Sequence, residues 1–360
     1  MVRIFLKKAS YVELSWYARG AFFLFVIWQI GIIIRDDSFS LWTLQRYIFT
    51  PGYLLYLAPF IVYKLANPSL IKRLLDEIVL LCKTFVIMIV PLSLYIIRAG
   101  TVDAINVFET LNLYMGAGSL FGLLVQEYLT IKQRRWLLVT AGIVVLLALI
   151  LARRSLLLSY AIMILIYIGY KYRYRTKSFK SRFIFLLSVF SVLSVTFLFF
   201  YNYGGYFFET LFDRALVDTR TIVEVRFMDD VGIGTHDFIF GKGISGSYYC
   251  PEVEQETDVR EHIESGYLEL ILKGGIVFVV LYLLFVLPAI VLGLFCSKNN
   301  FCRLAACYCV LFSISFYGIG SNFSFSIRYL ILLFCVFICY KSRLRKLSNN
   351  QMLEVINYEK

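Results

Sequence analysis

Apolar stretches of about twenty residues, long enough to cross a hydrocarbon layer of roughly 30 Å as a helix, recur along almost the whole chain. No other feature narrows its possible folds as much. Candidate spans fall near 20–34, 45–64, 78–97, 107–129, 136–151, 155–170, 183–200, 276–295, 303–320 and 323–340. Hydrophobic residues make up 60% of the 360 positions and mean hydropathy is +0.75, against roughly 45–50% apolar residues in soluble domains. The expectation is an all-α polytopic membrane protein with about ten transmembrane helices. No room remains for a separate soluble domain. Residues 1–346 are expected to form one transmembrane domain, and 347–360 a polar, loosely ordered cytoplasmic tail.

Charge orients these spans. With the N-terminus in the cytoplasm, the inner segments carry 23 of the 36 lysines and arginines, whereas the short outer loops hold only Arg35, Arg98, Arg153 and Arg154. That asymmetry follows the positive-inside rule and accounts for the net charge of +12 without nucleic acid. The run 136–170 could be one long helix with an arginine pair in its middle, but a single span would put the basic stretch 171–182 outside. Two spans turning at Arg153 and Arg154 satisfy the rule. Segment 67–77 predicts an amphipathic interfacial helix before the third span. The basic N-terminus is expected to be retained, since no small-residue cleavage site follows its apolar stretch.

One long polar segment interrupts this pattern, residues 201–275, an expected large extracytoplasmic loop containing short helices. It holds both histidines, His236 and His262, and 14 of the 24 acidic residues. Its Gly-rich pieces at 232–235 and 241–246 lack the order of a phosphate loop and predict turns needing positive φ. After His262 the spacing becomes helical, with Ile263, Tyr267, Leu270 and Ile271 on one face and His262, Ser265 and Glu269 towards another. Gly274 and Gly275 predict a kink before the next span.

His262 is the sharpest candidate for chemistry, because an imidazole titrates near neutral pH and can take a proton from a hydroxyl; the plainer alternative is a surface histidine. His236, beside Asp237 in a turn-rich stretch, fits the plainer alternative better. Glu261, Glu264 and Glu269 are each able to orient or replace His262. Arg153 and Arg154, set just before Ser155 at a helix start, suit an anion, or else snorkel to lipid headgroups. Arg226 lies among acidic residues, where local ion pairing is the default. Arg328, in the outer half of the last span, needs a partner or a wet cavity. Seven of the eight cysteines fall in or beside apolar spans and Cys250 is alone in the loop, so apolar filling is expected of them. Two dissimilar histidines without metal-ligand spacing predict no metal site, and no cofactor is expected.

The order of these parts resembles the O-antigen polymerase and ligase superfamily. The resemblance rests on Arg-Arg-Ser-Leu-Leu-Leu at 153–158, Arg226, Phe-Gly-Lys-Gly-Ile-Ser-Gly at 240–246, and the stretch 262–276 that begins His-Ile-Glu-Ser-Gly. It implies a GT-C-like membrane glycosyltransferase in the bacterial inner membrane, with both termini cytoplasmic and its active site facing the periplasm. The implied reaction is an inverting, metal-independent transfer of a growing glycan from polyprenyl pyrophosphate to the sugar of an incoming lipid-linked repeat unit. By position, Arg154, Arg153 and Arg226 would hold the pyrophosphate and His262 would be the general base. Beside the resemblance, Arg328, Glu264 and Glu269 are expected as supporting residues from their places in the sequence. The implied partners are undecaprenyl-pyrophosphate-linked oligosaccharide as donor and acceptor, the lipid bilayer, and a chain-length regulator in the same membrane. Ile263 stands where ligases and many polymerases carry asparagine, which disfavours the ligase that moves finished glycan to a lipid A core. A lipid-linked glycan transporter, from another class, would show repeat symmetry and substrate groups near the bilayer midplane, whereas the candidates here sit at span ends.

Overall fold

The computed structural model describes residues 15–35, 56, 58–65, 70–99, 102–151, 153–174, 219–251, 258–263, 265–318 and 325–357. They form a helical membrane protein. Helix α1 spans Trp16–Ile34, with the Ser15 hydroxyl accepting from the Ala18 N–H at 3.3 Å. It is followed by α2 (Ala58–Leu65), α3 (Ile71–Ala99), α4 (Val102–Leu111) and α5 (Gly118–Leu124). Helices α6 (Ile131–Ile150) and α7 (Arg154–Tyr174) come next. The polar segment holds α8 (Thr219–Val231), α9 (His236–Phe240) and the antiparallel strands β1 (Tyr248–Tyr249) and β2 (Val259–Arg260). Then follow α10 (Gly266–Phe295), α11 (Asn300–Gly318), α12 (Ile327–Tyr340), α13 (Ser342–Lys346) and α14 (Asn349–Asn357).

Four of these helices, α1, α6, α7 and α10, are long and apolar enough to cross a membrane, and α11 and α12 are shorter apolar helices. Their apolar residues do not stop at the core. Phe25 of α1 stacks on Phe278 and Phe285 of α10 at 5.5 Å, while Phe23, Leu24 and Ile27 of α1 and Val280, Leu284 and Val291 of α10 are exposed. A helix apolar on both its packed and its outer face suits lipid rather than water.

Several expected boundaries move. From Ile71 on, the expected interfacial helix 67–77 and span 78–97 are one helix, α3, because Lys72, Arg73, Asp76 and Glu77 belong to its first two turns and Asp76 is held there by the Gln133 side chain at 2.6 Å; residues 67–69 lie outside the described residues. The expected single span 107–129 is broken. A π turn at Asn112–Gly116 separates α4 from α5, and a 3-10 turn at Gln126–Tyr128 follows. Buried Asn112 and the tight fit of Gly116 against it and Phe85 mark that break. The first span begins at Trp16 rather than near Gly20. Within the expected loose tail 347–360, Asn349–Asn357 form α14, whose Met352 and Ile356 are buried four residues apart and whose start is fastened by the Asn349 side chain accepting from the Asn300 N–H at 2.7 Å. The turn at 153–154 is where the sequence puts it: α6 ends at Ile150 and α7 starts at Arg154. Span 183–200 and most of span 45–64 lie outside the described residues.

The bundle has two unlike ends. Asp76 with Gln133, Tyr128 stacked edge-on against Phe301, the Lys298 N–H on the Arg345 carbonyl and Asn299 on the Leu344 carbonyl gather the starts of α3, α6 and α11 with the ends of α10 and α12. That end carries Lys72, Arg73, Lys132, Arg134, Arg135, Lys298, Arg303, Arg343, Arg345 and Lys346. The opposite end receives the end of α1, the turn at Arg153 and the starts of α10 and α12. The polar segment covers it there.

Candidate functional site

The polar segment is anchored where α10 breaks. Gly275 has φ +71° and ψ −179°, outside helical geometry, so the chain runs as a half-helix to Gly274 and restarts at Ile276. A break frees carbonyls from their usual partners. Here the Lys242 N–H donates to the Leu272 carbonyl at 2.8 Å, the Gly243 N–H to the Lys273 carbonyl at 3.1 Å, and the Trp28 indole N–H to the Gly274 carbonyl at 2.8 Å. The backbones approach so closely that a Cβ on Gly275 would lie 2.0 Å from the Ile239 carbonyl oxygen, and one on Gly241 2.5 Å from the Gly274 nitrogen. The expected positive-φ turns occur at Gly232, Gly234, Gly241 and Gly243.

From this anchor the segment builds outwards. The Lys242 ammonium reaches the Asp230 carboxylate at 2.5 Å and the Ser247 carbonyl at 3.1 Å, tying α8 to the turn. Phe227 of α8 meets the Tyr248 ring edge-on at 5.5 Å. Strand β1 pairs Tyr248 with Arg260 and Tyr249 with Val259, which fixes the run leading to His262.

His262 lies just before α10, with its ring mostly in solvent, 73% exposed, while Glu269 in the first turn is buried at 5%. The Nδ1 atom of His262 is 3.0 Å from Glu269 Oε1, and Glu269 Oε2 accepts the Ile263 N–H at 2.9 Å. An ionised carboxylate only accepts, so Nδ1 carries the hydrogen and Nε2 presents its lone pair to solvent. That is the arrangement of a general base oriented by a carboxylate. Of the carboxylates open from sequence, Glu269 is, among the described residues, the one against the imidazole. Glu261 contributes its backbone carbonyl to another contact, and Glu264 lies outside the described residues.

The arginines separate. Arg153 pairs with Glu109 of α4, Nε to Oε1 at 2.9 Å, both partly exposed. The side chain of Arg154 lies outside the described residues; its backbone opens α7. Arg226 is on α8, exposed, next to the Phe227 that packs on Tyr248. Arg328 is buried in the first turn of α12, donating to Ser315 Oγ at 3.0 Å and lying over the Phe312 ring at 5.9 Å. The structure thus brings His262 and Glu269 together and puts neither Arg153 nor Arg328 in contact with them. Arg328 approaches the site through α11, where Tyr267 of α10 donates to the Ser313 carbonyl at 3.3 Å and packs edge-on against Phe316 at 5.0 Å.

Two residues near the site were not singled out from sequence for any role there. Arg35, just past α1, stacks over Trp28 at 5.1 Å beside Gly243. Lys273 is buried beneath the loop. The available signal for Lys273 was its spacing, four residues after Glu269 on one helix face. His236 is exposed beside Asp237, with its ring 4.9 Å from that of Phe240. Among the described residues no group of three or more His, Cys, Asp or Glu side chains is arranged to hold a metal ion. No protein-family model, no curated protein and no solved structure matches the chain.

Proposed function

We propose that the protein is a membrane glycosyltransferase of the polymerising kind, which extends a surface polysaccharide on polyprenyl pyrophosphate. The observation that carries the reading is the His262–Glu269 pair, an oriented imidazole open to solvent on the polar cover of a membrane bundle, at the end opposite the basic one. By the positive-inside rule that end faces the periplasm of a bacterial inner membrane. His262 Nε2 takes the proton from the acceptor sugar hydroxyl as its oxygen attacks the anomeric carbon of the donor. The bond from that carbon to the pyrophosphate oxygen breaks with inversion, and polyprenyl pyrophosphate leaves.

The leaving group departs as an anion, so guanidinium groups aimed at it lower the barrier. Arg154 and Arg226 take that role in this reading. Arg153 is partly neutralised by Glu109 and serves the turn instead, and Arg328 supports the wall formed by α11. The test is to incubate purified protein with a defined polyprenyl-pyrophosphate repeat unit and follow the products by mass spectrometry. Lipid-linked dimers and longer species are expected, lost in His262→Ala while expression and insertion persist. Transfer only after lipid A core is added would make it a ligase, and no product with either acceptor would remove the reading.

A further inference from the structure

Lys273 is only 3% exposed, yet its ammonium donates to two backbone carbonyls, Gly246 at 2.9 Å and Glu261 at 2.7 Å. Glu269, 4% exposed, stands one turn earlier on the same face of α10. The two side chains grip the same short run of backbone. Lys273 holds the carbonyl of the peptide bond entering His262, and Glu269 holds the N–H of the peptide bond leaving it, as well as the imidazole. Tyr248 adds a longer contact from its hydroxyl to the His262 carbonyl at 3.4 Å.

We propose that Lys273 is a positioning residue for His262, clamping its backbone together with Glu269 so that the imidazole keeps one tautomer and one direction. This rests on the reading of His262 as the base. A buried ammonium is costly unless charge and hydrogen bonds compensate it, so a packing role alone would be filled better by methionine. The Gly246 contact matters as well. It locks the 241–246 turn to the segment carrying His262, and that turn is itself fastened to the break in α10 through the carbonyls of Leu272 and Lys273. One side chain therefore joins the anchor of the loop to its reactive residue.

The experiment has two readouts. The chain has only two histidines, so His236→Asn leaves His262 as the sole imidazole for nitrogen NMR of histidine-labelled protein. At a pH where the ring is neutral, the parent protein is expected to show a single tautomer hydrogenated at Nδ1, and Lys273→Met a mixture. In the polymerisation assay Lys273→Met is expected to lower kcat about tenfold to a hundredfold with KM for the lipid-linked substrate little changed, and Lys273→Arg to recover most of the loss. A folded Lys273→Met protein with one Nδ1 tautomer and an unchanged kcat overturns the proposal. Should Lys273→Met fail to fold, Lys273→Gln, which keeps a donor for one carbonyl, is judged by the same criteria. Undiminished activity in His262→Ala would instead remove the base assignment, while the NMR comparison still decides whether Lys273 sets the ring.

Discussion

Glu269 has two oxygens and two different duties, one on the imidazole and one on the Ile263 N–H. An amide cannot perform both. In Glu269→Gln either the NH2 group faces His262 Nδ1, forcing the hydrogen onto Nε2, or it faces the Ile263 N–H and leaves donor against donor. The expected result is a fall in kcat of about 10²-fold, measured on protein that still inserts and purifies. A second residue-scale expectation concerns Lys341, just past α12, whose amine burial pushes down from its ordinary 10.5 to about 8. The folded chain disfavours its charged form, so the group costs stability below about pH 8, and that cost fades as pH rises from about 8 to 10.5. It is worth at most about 3 kcal/mol. Lys341→Met is expected to melt a few degrees higher than the parent at pH 7 and no higher at pH 10.5, read by thermal unfolding in detergent. That Glu269 meets His262 was not legible in the sequence, because three glutamates stand within nine residues and it takes the helix start at Ser265 to bring Glu269 back to the imidazole. Lys273 was hidden for the opposite reason, since a lysine at the edge of an apolar run ordinarily extends to water.

At the scale of elements, the break in α10 was legible and the break in 107–129 was not. Two adjacent glycines announce the first, and the backbone contact with Ile239 explains why a side chain is excluded there. Gly275→Ala combines a left-handed φ with that contact, and is expected to cost roughly 2–4 kcal/mol, seen as a lower melting temperature and easier proteolysis of the polar segment. The π turn at Asn112–Gly116 depends on how Gly116 meets the Asn112 side chain and Phe85 of another helix, a tertiary fit that hydropathy does not register. Charged residues at the start of α3 suggested a separate surface helix, but charges at a helix end need only reach water, not interrupt the helix. In α14 the polar majority concealed Met352 and Ile356, two apolar residues at a spacing that suffices to dock one face.

For the whole molecule, the separation of a basic end from a polar cover makes orientation directly measurable. Cys296 is exposed at the end of α10, whereas the other seven cysteines are buried. A membrane-impermeant maleimide is expected to label it in inverted vesicles and not in right-side-out ones. In a Cys296→Ser background, Tyr249→Cys on exposed β1 is expected to label with the reverse preference. Equal labelling from both sides, or the opposite preference, would overturn the orientation on which the periplasmic reading depends.

The fastening of the 241–243 turn to α10 also joins two layers that ordinarily melt apart. Amide hydrogens of surface turns exchange with solvent readily, because opening one needs only local fluctuation. The N–H groups of Lys242 and Gly243 are bonded to carbonyls of a membrane helix at its break, so releasing them means releasing that helix. Their hydrogens should exchange on the slow clock of α10 rather than the fast clock of a loop. Mass-resolved deuterium uptake across 232–247 is expected to find these two positions protected, with the exposed turn at 233–235 filling first.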